Sequence, residues 1–314
     1  MSATLLVQSI MQIPREERAV IGMQDRIDSG ITVPITTLTV AQVAERIDLQ
    51  AEVRDELQRI DESGETLTNE GKAAVRGLAD PQQCCESWTS LKTVLGDDPD
   101  GWHMLYWMLF AAGQYTFPEY CRIGIPDNVF DATMACFTRF IGEHRVSYGR
   151  YGFDRDFWTY RQLSVRLFRL SELEFELADG DNVPAVAGTP RVVNMHIPSD
   201  ARIDPDHCDQ SIARSRSFFA RFFPDWVGLP YMCESWLLSP ALEQLLPSHS
   251  HILGFQHRFR ILEIHPDAQD WREWVFQRCS APLEDLPERT SLQRNMKQFL
   301  LSGGKVGTGT GRLR

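Results

Sequence analysis

The sequence contains no CxxC pair, no basic segment followed by an apolar run and a cleavage site near its start, and no apolar stretch approaching the length of a membrane span. Each absence excludes something. Without CxxC, a structural zinc site of the ribbon or finger type is ruled out, and no metal is expected. The seven cysteines (Cys84, Cys85, Cys121, Cys136, Cys208, Cys233 and Cys279) are odd in number and irregularly spaced. They make no disulfide framework and fit a reducing, cytoplasmic setting. The most apolar run, residues 104–112, is far short of the roughly 20 residues that cross a bilayer, so it reads as a buried helix and no membrane partner is expected. Positive charge is also scarce. Lys and Arg total 32 against 43 Asp and Glu, a net charge of −11, and such a surface repels phosphate backbones, which excludes general nucleic-acid binding.

What is present divides the chain into a helical first part and a mixed second part. Thr39 precedes apolar positions Val40, Val43, Ala44, Ile47, Val53, Leu57 and Ile60, a helical period that predicts a helix over 40–60 with Gly64 just beyond it. Further helices are expected over 80–95, with Pro81 in the first turn, over 102–115, and over 128–148 behind Asp127. After Tyr148 the period falls to two. The runs 165–170 and 173–177 alternate around Ser171-Glu172 and predict an antiparallel hairpin, followed by a third strand over 191–197. A helix over 209–223 capped by Asp209, a strand over 231–238, a short helix opened by Ser239-Pro240, strands over 250–255 and 259–264, and helices near 271–277 and 291–301 complete the pattern. The fold class is α+β, with a helical domain over 1–148 and a mixed-sheet domain with flanking helices over 149–314.

The order β-β-β-α-β-α-β-β is that of the GNAT acyltransferase core from its second strand onward. The segments WTYRQLSVRLFRLSELEFEL, HIPSDARI, YMCESWLLSPALEQLLP and LPERTSLQRNMKQFLLSGGKVGTGTGRL resemble a bacterial family in which a helical N-acyltransferase N-terminal domain precedes a GNAT-like C-terminal domain. The resemblance runs from about Leu38 to the end of the sequence. It implies direct attack of an amine on acyl-CoA or acetyl-CoA, with a small-molecule amine or a peptide as acceptor and neither metal nor covalent intermediate.

Such chemistry needs backbone N–H groups at a helix N-terminus for the pyrophosphate, a donor for the thioester oxygen and a base for the ammonium. The loop from His196 to Ser211 stands where the pyrophosphate would lie. Ile197, Ser199, Arg202 and Ser211 are its candidate cofactor-binding residues. It contains no glycine and carries Asp200, Asp204, Asp206 and Asp209 against the single Arg202, a charge pattern that opposes a pyrophosphate. Candidate catalytic residues are Glu234 as base, His196 at a strand end, and Cys233 with Ser235 on the face opposite Glu234. Cys233 with His196 as partner is the alternative nucleophilic reading. Glu174 and Glu176 share one face of a strand, expected to be the solvated one. The glycine-rich segment 302–312 follows a helix and so lacks P-loop geometry; it reads as a terminal strand or a tail. Three readings stay open: an N-acyltransferase, a GNAT-like module that has lost catalysis and binds a small ligand or a protein, and a cysteine-dependent transferase or hydrolase through Cys233.

Overall fold

Thr39 and Gln42 exchange hydrogen bonds in a capping box, Gln42 N–H to Thr39 Oγ1 at 3.2 Å and Thr39 N–H to Gln42 Oε1 at 2.9 Å, and so open helix α1, Val40–Arg46. In the computed structural model, which describes residues 36–278 and 280–314, the compact unit runs from Thr37 to Arg314; Cys279 lies outside the described residues. The single helix expected over 40–60 is two. Asp48 takes a left-handed φ of 54°, and the turn buries both Ile47 and Leu49 before α2 begins at Ala51 (Ala51–Ser63). Gly64 ends α2 in the left-handed conformation, as expected.

The helical half continues with α3 (Asn69–Gly77), α4 (Cys84–Leu95), α5 (Trp102–Ala111), a π-helical turn (Ala112–Thr116), α6 (Phe117–Ile123), α7 (Asp127–Met134), α8 (Cys136–Tyr148) and α9 (Asp156–Leu163). The apolar run 104–112 is buried in α5 and the turn after it, apart from the partly buried Phe110. Among the described residues no helix is long and apolar enough to cross a membrane. The helix expected over 128–148 breaks at Ala135. The break has a use: Thr133 Oγ1, at the end of α7, accepts the backbone N–H of Arg169 at 3.0 Å and docks the helices onto the sheet.

That sheet has six strands: β1 (Leu167–Leu170), β2 (Leu173–Asp179), β3 (Arg191–His196), β4 (Tyr231–Ser235), β5 (Phe259–His265) and β6 (Thr308–Leu313). Their spatial order is β1-β2-β3-β4-β6-β5. The β1–β2 hairpin turns at Ser171, which adopts φ 70°. Two expectations are corrected. The helix α10 spans Pro205–Phe222 and is capped by Asp204, because a proline fits the first helical position. Asp209 instead pairs with Arg258 on the helix surface. Residues 250–255 do not form a strand: Ser250 caps the short helix α12, His251–Gln256, which follows the four-residue α11 (Leu242–Leu245). A short apolar run cannot tell helix from strand by period alone. The last helix, α13, is Ser291–Leu301.

The two sheet faces differ in chemistry. One face carries Phe168, Leu173, Phe175, Leu177, Val193, Met195 and Cys233, all buried, and packs against α10. Phe168 meets Phe218 at 4.9 Å, Phe223 at 5.3 Å and, from the helical half, Tyr120 at 5.9 Å between ring centroids. By alternation and register the other face carries Glu174, Glu176, Asn194, His196, Glu234, Thr308 and Thr310. The glycine-rich segment is β6, and its Thr-Gly alternation follows from these faces. A Cβ on Gly309 would sit 2.6 Å from the Leu238 carbonyl oxygen, and one on Gly311 3.0 Å from Phe259 Cβ. Glycine is needed where neighbouring chain presses on β6, and threonine serves on the polar face.

Candidate active site

β3 and β4 are the one parallel pair in the sheet, and they pair only at Val193↔Tyr231 and Asn194↔Met232. Beyond that point β3 continues to His196 and β4 to Ser235, each held on its other side by β2 or β6. Beyond Asn194↔Met232 the β3–β4 pairing stops, and the strands part. A cleft of about 230 Å³ opens at the gap. Met195 and His196 of β3 with Ile197 just after it line one side, and Glu234 and Ser235 of β4 with Trp236 just after it line the other. Phe140, Trp158, Trp274, Leu237 and Ile252 give it apolar walls.

His196 stands at the rim. Its Nε2 lies 2.8 Å from Glu176 Oε2. Burial would raise the Glu176 pKa, but the His196 hydrogen bond and the nearby charges of His196, Arg161 and Arg166 outweigh it and hold the carboxyl below its ordinary value. An ionised carboxylate only accepts, so the ring nitrogen facing it, Nε2, carries a hydrogen. Trp158 packs edge-on to the imidazole, with ring centroids 5.0 Å apart, and is itself held by Arg161 stacked 4.1 Å from its ring. Both Glu174 and Glu176 are buried, which reverses the expectation of a solvated face. The helical half covers that face.

The floor is a charged network. Arg139, from α8, donates to Glu174 Oε1 at 3.1 Å and lies 3.6 Å from Asp200. Arg169 also donates to Asp200, at 2.9 Å. Burial works against ionisation of Asp200, yet these two arginines keep its pKa below the ordinary value. Glu143, one turn after Arg139, shows the opposite balance: burial raises its pKa and wins over the hydrogen bond from Ser199 Oγ and the charge of Arg139. Across the cleft, Glu234 accepts from Thr310 Oγ1 at 3.3 Å, and Asp270 accepts from Thr308 Oγ1. No cation pairs with either carboxylate among the described residues.

The remaining candidates are distributed as follows. His196, Ile197, Ser199, Glu234 and Ser235 come together in the cleft. Cys233 is fully buried on the opposite face, where burial, with the Glu234 charge adding to it, pushes its thiol far above its ordinary range. Arg202 lies outside the cleft lining and is clamped to Glu172 at 2.6 and 2.9 Å. Ser211 is buried and accepts the Glu172 N–H at 3.0 Å. Among the described residues no group of three or more His, Cys, Asp or Glu is placed to hold a metal ion.

Family models match the chain in two consecutive parts. An N-acyltransferase N-terminal domain matches residues 39–165, and a GNAT-like C-terminal domain matches residues 167–313. The chain joins an N-acyltransferase N-terminal domain to a GNAT-like C-terminal domain. No curated protein matches it. Among solved structures it shares its fold with an acyltransferase in complex with decanoyl-CoA and teicoplanin, at 23% identity and a TM-score of 0.71, over 100% of this chain and 99% of that one. An acyltransferase in complex with CoA and 10C-teicoplanin is similar at 23% identity and a TM-score of 0.61, over 88% and 99%. In the GNAT-like domain, then, the parted strands and His196 lie at the junction with the N-acyltransferase N-terminal domain, whose α8 and α9 supply Arg139, Glu143 and Trp158.

Three residues of this site escape sequence reading. Trp158 sits on α9, a helix with no clear apolar period. Arg139 and Glu143 are a turn apart on α8, indistinguishable in sequence from a solvated pair. The His196–Glu176 contact spans 20 residues and exists only through the β2–β3 register.

Proposed function

We propose that the chain transfers an acyl group from acyl-CoA to an amine by direct attack, in the cleft where β3 and β4 part. The observation that carries this reading is the position of His196 in the lining of that cleft, with Glu176 behind it at 2.8 Å. The structural neighbours' acyl-CoA supports the donor class. The gap admits the thioester arm, and backbone N–H groups of the parted strand ends are suited to steady the carbonyl oxygen as it becomes negative. The acceptor arrives as an ammonium from the polar side, facing Glu234 and Asp270. His196 Nδ1 removes one proton, with Glu176 holding the ring and stabilising the imidazolium. The amine nitrogen then bonds to the thioester carbon, the C–S bond breaks, and the departing thiolate takes up the second amine proton.

Calorimetric titration with octanoyl-CoA tests the donor, and mass spectrometry of an amine panel incubated with enzyme and octanoyl-CoA tests the transfer. Saturable binding with formation of an N-octanoyl amide is expected. No heat at millimolar octanoyl-CoA removes the donor. Binding without any amide across the panel favours the non-catalytic module.

The nucleophilic-cysteine alternative is separable. Cys233→Ala is expected to keep transfer within about two-fold of the parent, because a thiol this deeply buried reaches neither donor nor acceptor. A complete loss of transfer in a variant that retains its fold by circular dichroism contradicts that.

A further inference from the structure

In the loop between β3 and α10 and at the start of that helix, several of the polar groups that could meet an anion are engaged by the chain itself. Pro198 and Pro205 have no N–H to offer. The Ala201 N–H donates to the Pro198 carbonyl, and the Arg202 N–H to Glu172 Oε2. At the helix start, Asp204 accepts the His207 N–H at 3.3 Å, and the Cys208 N–H closes the first turn onto the Asp204 carbonyl. A carboxylate of the chain itself thus occupies the place where a helix N-terminus would receive an anion.

The cations nearby are committed as well. Arg202 is clamped by Glu172. His207 Nδ1 lies 2.6 Å from Asp204. Arg258 pairs with Asp209 and donates to the Pro205 carbonyl. A diphosphate laid here would break these pairs and meet the freed carboxylates. The gap between β3 and β4, in contrast, presents apolar walls and strand ends that run on past the last β3–β4 pair, Asn194↔Met232, a setting suited to an amide-bearing thioester arm.

We infer that the donor is held by its acyl-pantetheine arm, and that the nucleotide diphosphate contributes little to its binding. This rests on the transfer reading given above, and it narrows the donor class to S-acyl pantetheine thioesters, of which acyl-CoA is one.

The test compares octanoyl-CoA with S-octanoyl-pantetheine by calorimetry on the full chain, each at low and high salt. The two Kd values are expected to agree within about three-fold, under 1 kcal/mol. Raising NaCl about ten-fold, which shortens the screening length about three-fold, is expected to leave the octanoyl-CoA Kd unchanged. Adenosine 3′,5′-bisphosphate at millimolar concentration is expected not to compete. Octanoyl-CoA binding more than about thirty-fold tighter than S-octanoyl-pantetheine, or losing affinity steeply with salt, overturns the inference and leaves the transfer reading intact. Absence of binding by both thioesters overturns the transfer reading, and the inference falls with it.

Discussion

Replacing His196 with alanine is expected to slow acyl transfer to an amine about a thousand-fold, the usual scale for losing a positioned base. Octanoyl-CoA affinity should stay within about two-fold, because the imidazole is proposed to act on the ammonium and to make no essential contact with the donor. Glu176→Gln should have a smaller effect, about ten- to one-hundred-fold, since the amide still positions the ring but no longer stabilises its charge. The order of the two effects carries the argument. The hydrogen bond of 2.8 Å between them makes Glu176 a positioning residue that works through His196. If Glu176→Gln proves as damaging as His196→Ala, or if His196→Ala retains more than a tenth of the parent rate in a saturating kinetic assay, the assigned roles are wrong. A higher concentration of the already deprotonated amine should partly rescue His196→Ala and leave the parent unaffected.

The second large effect is on stability. Arg139→Met is expected to destabilise the fold by about 3 kcal/mol or more, because it leaves a buried carboxylate without its partner. Glu174 is 2% exposed, and Arg139 donates to it at 3.1 Å from a side chain that is itself 10% exposed. The partner substitution provides the internal check. In the double variant Arg139→Met with Glu174→Gln, no charge is left stranded, and more than half of the lost stability should return. Urea unfolding of the parent, the single variant and the double variant measures this. A double variant no more stable than Arg139→Met alone would mean that the loss comes from packing and not from the stranded charge.

Much of the architecture is legible in the sequence because its causes are local. The period of two over 165–177 and 191–196 marks β1, β2 and β3, and Thr39 marks the first helix. The errors have physical causes too. Asp209 looks like a cap, but Pro205 favours an earlier start with Asp204 in that role. Residues 250–255 carry apolar side chains that suit either a strand or a one-turn helix, and the Ser250 cap selects the helix. The site was less legible. His196 and Glu234 lie at strand ends, a position that can be inferred from strand order alone. The environment of Glu174 and Glu176 depends on which elements cover their face, and nothing local encodes that the helical half does so. The acidic loop reads in sequence as hostile to anions. In the structure its acids are mostly spoken for, Asp200 by Arg169, Asp204 by the helix start and Asp209 by Arg258.

The place of β6 between β4 and β5 has a consequence for how the molecule comes to be folded. Both neighbours precede β6 in the chain, and neither pairs with the other. Until residues 308–313 have been made and released, β4 and β5 each expose an open hydrogen-bonding edge, a template for pairing with other chains. Sheet closure is therefore a late, non-local event, of the kind that slows folding and prolongs exposure to aggregation. The same late strand brings Thr308 and Thr310 to Asp270 and Glu234. The polar wall of the cleft is therefore assembled only when the sheet itself is complete.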